Sequence, residues 1–214
     1  MNRRQYLATL CGGAAVSLAG CAAVDDLSSS LGGGSKTIGD TQSYNGVELT
    51  PTEYVLADSY TRNMEMNSQN TSAPSGATFV FSHLSVVHNG DSEQRFPENG
   101  MGSDDINLVY DGEEVGETMM DTSAQSYTVD GVTLKAWDAA LYDADATGGV
   151  FPGKKVDGWI VHDVASNFDP EKLELRVIWN NQAVGEGEDE VTHKWTYTAD
   201  AEVSIDNIGG SGGE

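Results

Sequence analysis

The sequence predicts an all-β fold, an antiparallel β-sandwich carrying one short helix. Three observations predict it. Leu173, Leu175, Val177 and Trp179 share one face of a period-2 run whose other face carries Glu174 and Arg176, the pattern of an antiparallel strand with one wet side. Just before it, Val156, Gly158, Ile160 and His162 alternate with Asp157, Trp159, Val161 and Asp163. Short apolar or β-branched runs then recur along the chain with turn chemistry between them, as in a two-sheet sandwich.

The chain has 214 residues, enough for one domain and its tails. Its first 20 residues read as an export signal. Arg3 and Arg4 give a positive start, and a modest apolar stretch follows that is too short and too weak to stay in a membrane as a helix. The Arg3-Arg4-Gln5-Tyr6-Leu7 run resembles a twin-arginine export signal. Leu18-Ala19-Gly20-Cys21 resembles a lipobox, in which cleavage before Cys21 frees its thiol to carry lipid. Cys11 would leave with the signal and Cys21 would be lipidated, so the mature chain is expected to hold no free thiol and no disulfide. Residues 21–43 read as the lipidated cysteine and a Ser/Gly tether, whose flexible part reaches roughly 25 Å. Residues 44–207 form the predicted sandwich, and residues 208–214 a frayed tail.

Within the sandwich, residues 47–49 and 54–56 are short strand candidates on either side of Pro51. Residues 64–76 are polar and read as a loop. Residues 77–89, the most apolar run, read as a central strand closed by Asn89-Gly90-Asp91. Residues 107–110 lead into Asp111-Gly112 and residues 127–129 into Asp130-Gly131. Asp-Gly between strand residues signals a hairpin, because both central positions of a type I′ turn need positive φ. Leu134, Trp137 and Leu141 have helical spacing and predict the short helix. Residues 191–198 and 202–205 are the last predicted strands.

Charge narrows the function. There are 34 acidic against 11 basic residues, a net charge of −23. No basic stripe exists, so nucleic acid is excluded as a partner. The acids are spread along the chain while Trp137, Trp159, Trp179 and Trp195 sit in patterned apolar context, which argues against disorder. The expected explanation is a halophilic surface, solvated and screened in salt.

The stretches GATFVFSHLSVVHNGD, INLVYDGEEV, FPGKKVDGWIVHDV and LELRVIW resemble the telokin-like, immunoglobulin-like domain of prokaryotic extracytoplasmic lipoproteins. The carrying motifs are Asn89-Gly90-Asp91, Asp111-Gly112, and Pro152-Gly153 through Gly158. The resemblance implies an immunoglobulin-like fold and a place outside the membrane, and no catalytic residues. The chain departs from it at His162, where the family prefers an aromatic, and in a long insert over 116–150.

Catalytic signatures are missing from the sequence. It has no nucleophile elbow, and Ser103 has no flanking pattern that would make it one. His83, His88, His162 and His193 form no close ligand pair; His83 and His88, five apart, face opposite sides of a strand, and all four read as structural or surface residues. The Asp143-Ala-Asp145-Ala-Thr147-Gly148 run matches the first half of a calcium loop, but its twelfth position is Lys154. It reads as a turn, with a weak cation site on Asp143, Asp145 and Thr147 as the alternative. The four acids over 186–190 read as a solvated hairpin loop. Asn70-Thr71-Ser72 is the only N-x-[ST] sequon, and it permits a surface glycan.

These readings lead to a non-enzymatic, membrane-anchored lipoprotein. Its lipid at Cys21 meets the bilayer, its domain meets an envelope protein or a small solute, and no cofactor is expected. A cation-handling or solute-binding accessory is the alternative, and a cryptic hydrolase a third. The insert offers the expected contact surface through Met119, Met120, Tyr127, Trp137 and Tyr142, since Met and aromatics favour contact cores. The competing reading packs Trp137 onto the sandwich.

Overall fold

The computed structural model describes residues 36–98, 105–115, 124–147, 149–179 and 191–209. Arg3, Arg4, Cys21, Ser103, Met119, Met120 and the acidic run at 186–190 lie outside the described residues. In chain order the strands begin with β1 (Lys36–Thr37), β2 (Gln42–Tyr44), β3 (Val47–Ala57), β4 (Ser59–Met64) and β5 (Ser68–Ser72). They continue with β6 (Ala77–His88), β7 (Gln94–Arg95), β8 (Ile106–Tyr110), β9 (Glu113–Glu114) and β10 (Ala124–Val129). The last are β11 (Val132–Lys135), β12 (Gly149–Val150), β13 (Lys155–Ala165), β14 (Leu173–Trp179) and β15 (Val191–Thr196). Two α-helices are described, α1 (Trp137–Asp143) and α2 (Ile205–Gly209), besides short 3-10 turns at Pro170–Lys172 and Ala199–Ala201.

The predicted β-sandwich is present, and it has a third layer. The central sheet runs β13-β6-β3-β2 and is antiparallel throughout. One of its faces meets the sheet β1-β15-β14-β8-β9, in which β1 and β15 pair in parallel. Val80, Leu84, Val86, Ile160 and Val164 from the central sheet share that core with Ile106, Leu108, Leu175, Val177 and Trp195. The other face meets the sheet β11-β10-β4-β5. There Phe79, Phe81 and Trp159 pack with Tyr60, Tyr127, Val129 and Leu134. The first half of β6 is therefore covered on both sides and its second half alternates. That is why its sequence opens on a continuous apolar run and ends on a period of two.

Three hairpins use the turn that their sequences require. Asn45-Gly46, Asp111-Gly112 and Asp130-Gly131 all have positive φ at both positions. At Gly46 a second demand applies, since a Cβ there would lie 2.4 Å from the Gly90 Cα. Those two turns touch, and glycine is what lets them.

Several boundaries differ from the sequence expectation. The fold begins before residue 44: Trp195 Nε1 donates to the Asp40 carbonyl at 2.8 Å and Gln42 Nε2 to the Lys194 carbonyl at 2.8 Å. The predicted tether thus ends at least eight residues earlier, because β1 and β2 are edge strands too short to show periodicity. Residues 64–76 are not simply a loop but contain β5. Leu134 belongs to β11, and the helix starts at Trp137. Residues 202–205 form a single bridge from Glu202 to Tyr54 and then open α2, not a strand.

Within the insert, the described residues 124–147 pack on the body of the protein. Ala136 bridges Trp159 in parallel, which sets α1 against the outer edge of β13. Gly158 makes this approach possible: a Cβ there would meet the Trp137 Cα at 2.8 Å.

Candidate functional site

The half of the central sheet that the third layer leaves uncovered carries a polar cluster around His83. The register of β3 shifts between Pro51 and Glu53. Pro51 has no N–H to give the ladder, so the strand bulges there. The bulge brings Thr52 Oγ1 within 2.7 Å of His83 Nδ1. The imidazole stacks on Trp159 with centroids 4.8 Å apart and planes inclined by 30°. Burial against that indole lowers the pKa of His83, and Glu53 and Asp157 oppose the shift. A hydroxyl on an imidazole is one part of a nucleophile–base pair. Here, however, Glu53 Oε1 lies 4.0 Å from the same Nδ1. In a relay the orienting carboxylate binds the nitrogen opposite the nucleophile. Thr52 and Glu53 instead crowd one nitrogen, so the cluster orients the ring without completing a triad.

The remaining histidines are structural by their surroundings. His88 is fully buried; Gly90 N–H donates to its Nδ1 at 3.0 Å and its Nε2 lies 2.7 Å from the Ser92 carbonyl. Accepting at Nδ1 leaves Nε2 to donate, so the ring clasps the turn after β6. His193 accepts from Trp179 Nε1 at 3.1 Å. Burial pushes its pKa down to about 4. His162 is buried in the core with no partner for either ring nitrogen. Its pKa is also pushed down to about 4, by burial alone.

The contact residues expected in the insert divide. Tyr127 is buried, with its ring edge-on to Tyr60 and Phe81. Trp137 is buried too, and its Nε1 donates to the Pro97 carbonyl at 2.9 Å. Neither can meet a partner, because the third sheet and α1 need them as core. Tyr142 is 77% exposed at the end of α1, and Phe151, which sequence reasoning passed over, is 65% exposed just after β12. Lys154 Nζ donates to the Ala144 carbonyl at 2.6 Å and closes the segment that bears Phe151; Tyr142 lies just before it, in α1.

The turn read as half a calcium loop is occupied by the protein's own cations. Lys135 Nζ pairs with Asp143, and Lys154 holds the Ala144 carbonyl. Asp145 turns the chain at φ 52°, and Thr147 is exposed. Among the described residues no group of three His, Cys, Asp or Glu side chains could hold a metal ion. None of the described helices is long and apolar enough to cross a membrane.

No protein-family model and no curated protein matches the chain. Among solved structures it is similar to a predicted lipoprotein of Bacillus subtilis, ycdA, at 13% identity and a TM-score of 0.40, over 76% of this chain and 39% of that one. It thus spans about two fifths of that protein's length. It is also similar to the Bacillus subtilis yjhA protein, at 10% identity and a TM-score of 0.45, over 76% of this chain and 99% of that one. A third is an uncharacterized β-sandwich protein of Clostridium difficile, at 11% identity and a TM-score of 0.35, over 75% and 94% of the two chains.

Proposed function

We propose that the chain is a membrane-anchored extracytoplasmic lipoprotein whose telokin-like, immunoglobulin-like sandwich is a non-catalytic binding module. The anchor rests on the sequence around Arg3, Arg4 and Cys21. One acyl chain binds a bilayer only marginally, so the lipid on Cys21 must carry two. The observation that carries the binding half is the exposure of two large aromatic side chains, Tyr142 and Phe151, at either end of the 143–150 stretch. Aromatic side chains suit the centre of a protein contact. An envelope protein is the partner class that fits an anchored domain. Cation handling is disfavoured at the Asp143 turn, where two lysines already supply the positive charge.

Two measurements test this reading. Cys21→Ser is expected to release the protein from the membrane fraction or stall it as a precursor; normal processing with full membrane retention would overturn the anchor. Tyr142→Ser with Phe151→Ser is expected to lose envelope crosslinks that the unchanged chain makes. Equal crosslinking by both would rule that surface out, and turnover of an ester, peptide or phosphate substrate by the pure domain would overturn the non-catalytic reading.

A further inference from the structure

The third sheet differs from the rest of the surface. None of its strands, β4, β5, β10 and β11, contains an aspartate or a glutamate, in a chain with 34 of them. Its inner face supplies the core residues Tyr60, Tyr127 and Leu134. Its outer face presents two cross-strand rows, Thr133-Thr128-Thr61-Asn70 and Lys135-Ser126-Asn63-Ser68. Within them Asn63 Nδ2 donates to Thr128 Oγ1 at 2.9 Å and Thr61 Oγ1 to Asn70 Oδ1 at 2.8 Å. This is a surface of hydroxyls and amides with one charge, Lys135, which Asp143 neutralises.

The sheet ends on β5, Ser68–Ser72, and among the described residues no strand or helix pairs with that edge. Native proteins protect an edge strand with charge, proline, a bulge, brevity or a cover. The other edges follow the rule: β1 and β9 have two residues each and carry Lys36 or two glutamates. On the central sheet β13 carries Lys155, Asp157 and Asp163 and takes a bridge from Ala136, and β2 has three residues. At the opposite side of the third sheet, β11 lies under α2. By contrast β5 has five residues, no charge, no proline and regular pairing with β4.

At the centre of that edge lies the chain's only sequon. Alternation along the strand turns Thr71 toward Tyr60 and points Asn70 and Ser72 together to the outer face, where both are exposed. Thr61 engages Asn70 through Oδ1 and so leaves Nδ2, the atom that a sugar would join. We propose that Asn70 is an N-glycosylation site and that its glycan guards the β5 edge. The donor would be a lipid-phosphate-linked oligosaccharide. The bond from the sugar's anomeric carbon to the phosphate oxygen breaks, a bond from that carbon to Nδ2 forms, and one Nδ2 proton is lost to a base. The electron pair of the broken bond leaves with the phosphate. A neutral sugar then lies over the neutral hydroxyls and amides of the Thr61 and Asn63 rows.

The inference rests on the extracytoplasmic reading above, because N-x-[ST] is an acceptor in exported chains. It is tested on the full chain made in its own organism, by fractionation and mass spectrometry of the peptide containing Asn70. Envelope protein bearing a saccharide on Asn70, lost equally in Asn70→Gln and Ser72→Ala, is the expected result. Envelope protein with bare Asn70 overturns this inference and leaves the localisation intact; cytosolic, bare protein overturns both. The guarding role has its own readout. Asn70→Gln is expected to self-associate in sedimentation while Asn70→Lys, which restores a charge to the edge, stays monomeric. A monomeric Asn70→Gln would show that the glycan guards nothing.

Discussion

The phenolic oxygen of Tyr197 sits 2.5 Å from Ser82 Oγ, with both side chains fully buried between two sheets. The residues are 115 apart in sequence. Ser82 is the polar break in the inward row of β6, between Val80 and Leu84, and Tyr197 follows β15. Their bond therefore pins the end of the outer sheet to the middle of the central one. Burial raises the Tyr197 pKa, so the phenol stays neutral and can serve as donor or acceptor.

Removing either hydroxyl orphans the other. Tyr197→Phe and Ser82→Ala are each expected to cost about 1–3 kcal/mol, the penalty of leaving a buried polar group unpaired. The double variant is expected to lose clearly less than the sum, since no orphan remains. Urea melts of the four proteins measure this, and additive losses would show that the contact contributes nothing.

His162 gives the fold a dependence on pH. Unfolded, its imidazole titrates near 6.5, while in the core burial holds it down to about 4. Between those values the unfolded chain binds a proton that the folded one refuses, so stability falls as pH drops through this window. His193 follows the same course. For the fully buried His162 a shift of that size corresponds to about 3 kcal/mol. His162→Phe is expected to flatten the slope between pH 6.5 and 4 and to raise the melting temperature at pH 5. It also removes two buried nitrogens that have no partners. A slope unchanged from the parent would mean that His162 is hydrated in solution. Below the window Asp40 continues the trend, because the Thr37 backbone N–H and hydroxyl that lower its pKa are lost when the carboxylate protonates.

What the sequence revealed, and what it hid, follows from where each residue's burial comes from. The run over 173–179 became β14 residue for residue, because one wet face and one dry face impose a period of two. The Asp111-Gly112 and Asp130-Gly131 hairpins were legible because their turn type demands those residues. By contrast β5 has no apolar side chain to signal it; register with β4 and bonds among hydroxyls and amides define it. Leu134 and Trp137 were three apart, which suits a helix, yet the chain passes from strand to helix between them. The third layer was foreshadowed in β6, where Phe79 and Phe81 face opposite to Val80, but a two-faced apolar strand does not say what covers it. In the His83 cluster the readable sign was Pro51 inside a strand, which implies a bulge though not which side chain it redirects.

Gly158 sets the distance between α1 and the β13 edge. Gly158→Ala would place its Cβ 2.8 Å from the Trp137 Cα and 3.1 Å from that indole. Backbone cannot yield as a flexible side chain does, so the helix must move. A loss of roughly 1–3 kcal/mol is expected from such overpacking. The near-ultraviolet circular dichroism of Trp137 and Trp159 should change with it, since both rings sit at this junction. An unchanged spectrum and melting point would show that α1 is held loosely.

Salt acts on the fold through two opposed effects. It weakens the favourable surface pairs, such as Lys155 with Asp157 at 3.2 Å and Lys172 with Asp111 at 3.6 Å. Exposed pairs of this kind contribute about 0–1 kcal/mol each. It also relieves the mutual repulsion of a chain with net charge −23. A domain of ~150 residues has a radius of gyration of roughly 15 Å. At 0.01 M salt the screening length is ~30 Å, so every carboxylate feels every other; at 1 M it is ~3 Å and only neighbours interact. The repulsion sums over many pairs and the attraction over few, so relief wins and salt stabilises. We expect the β-sheet circular dichroism to be lost cooperatively on dialysis from molar salt into dilute buffer, and to return when salt is restored. A melting temperature that stays constant over that range would refute the halophilic reading of the acidic surface and leave the sandwich itself untouched.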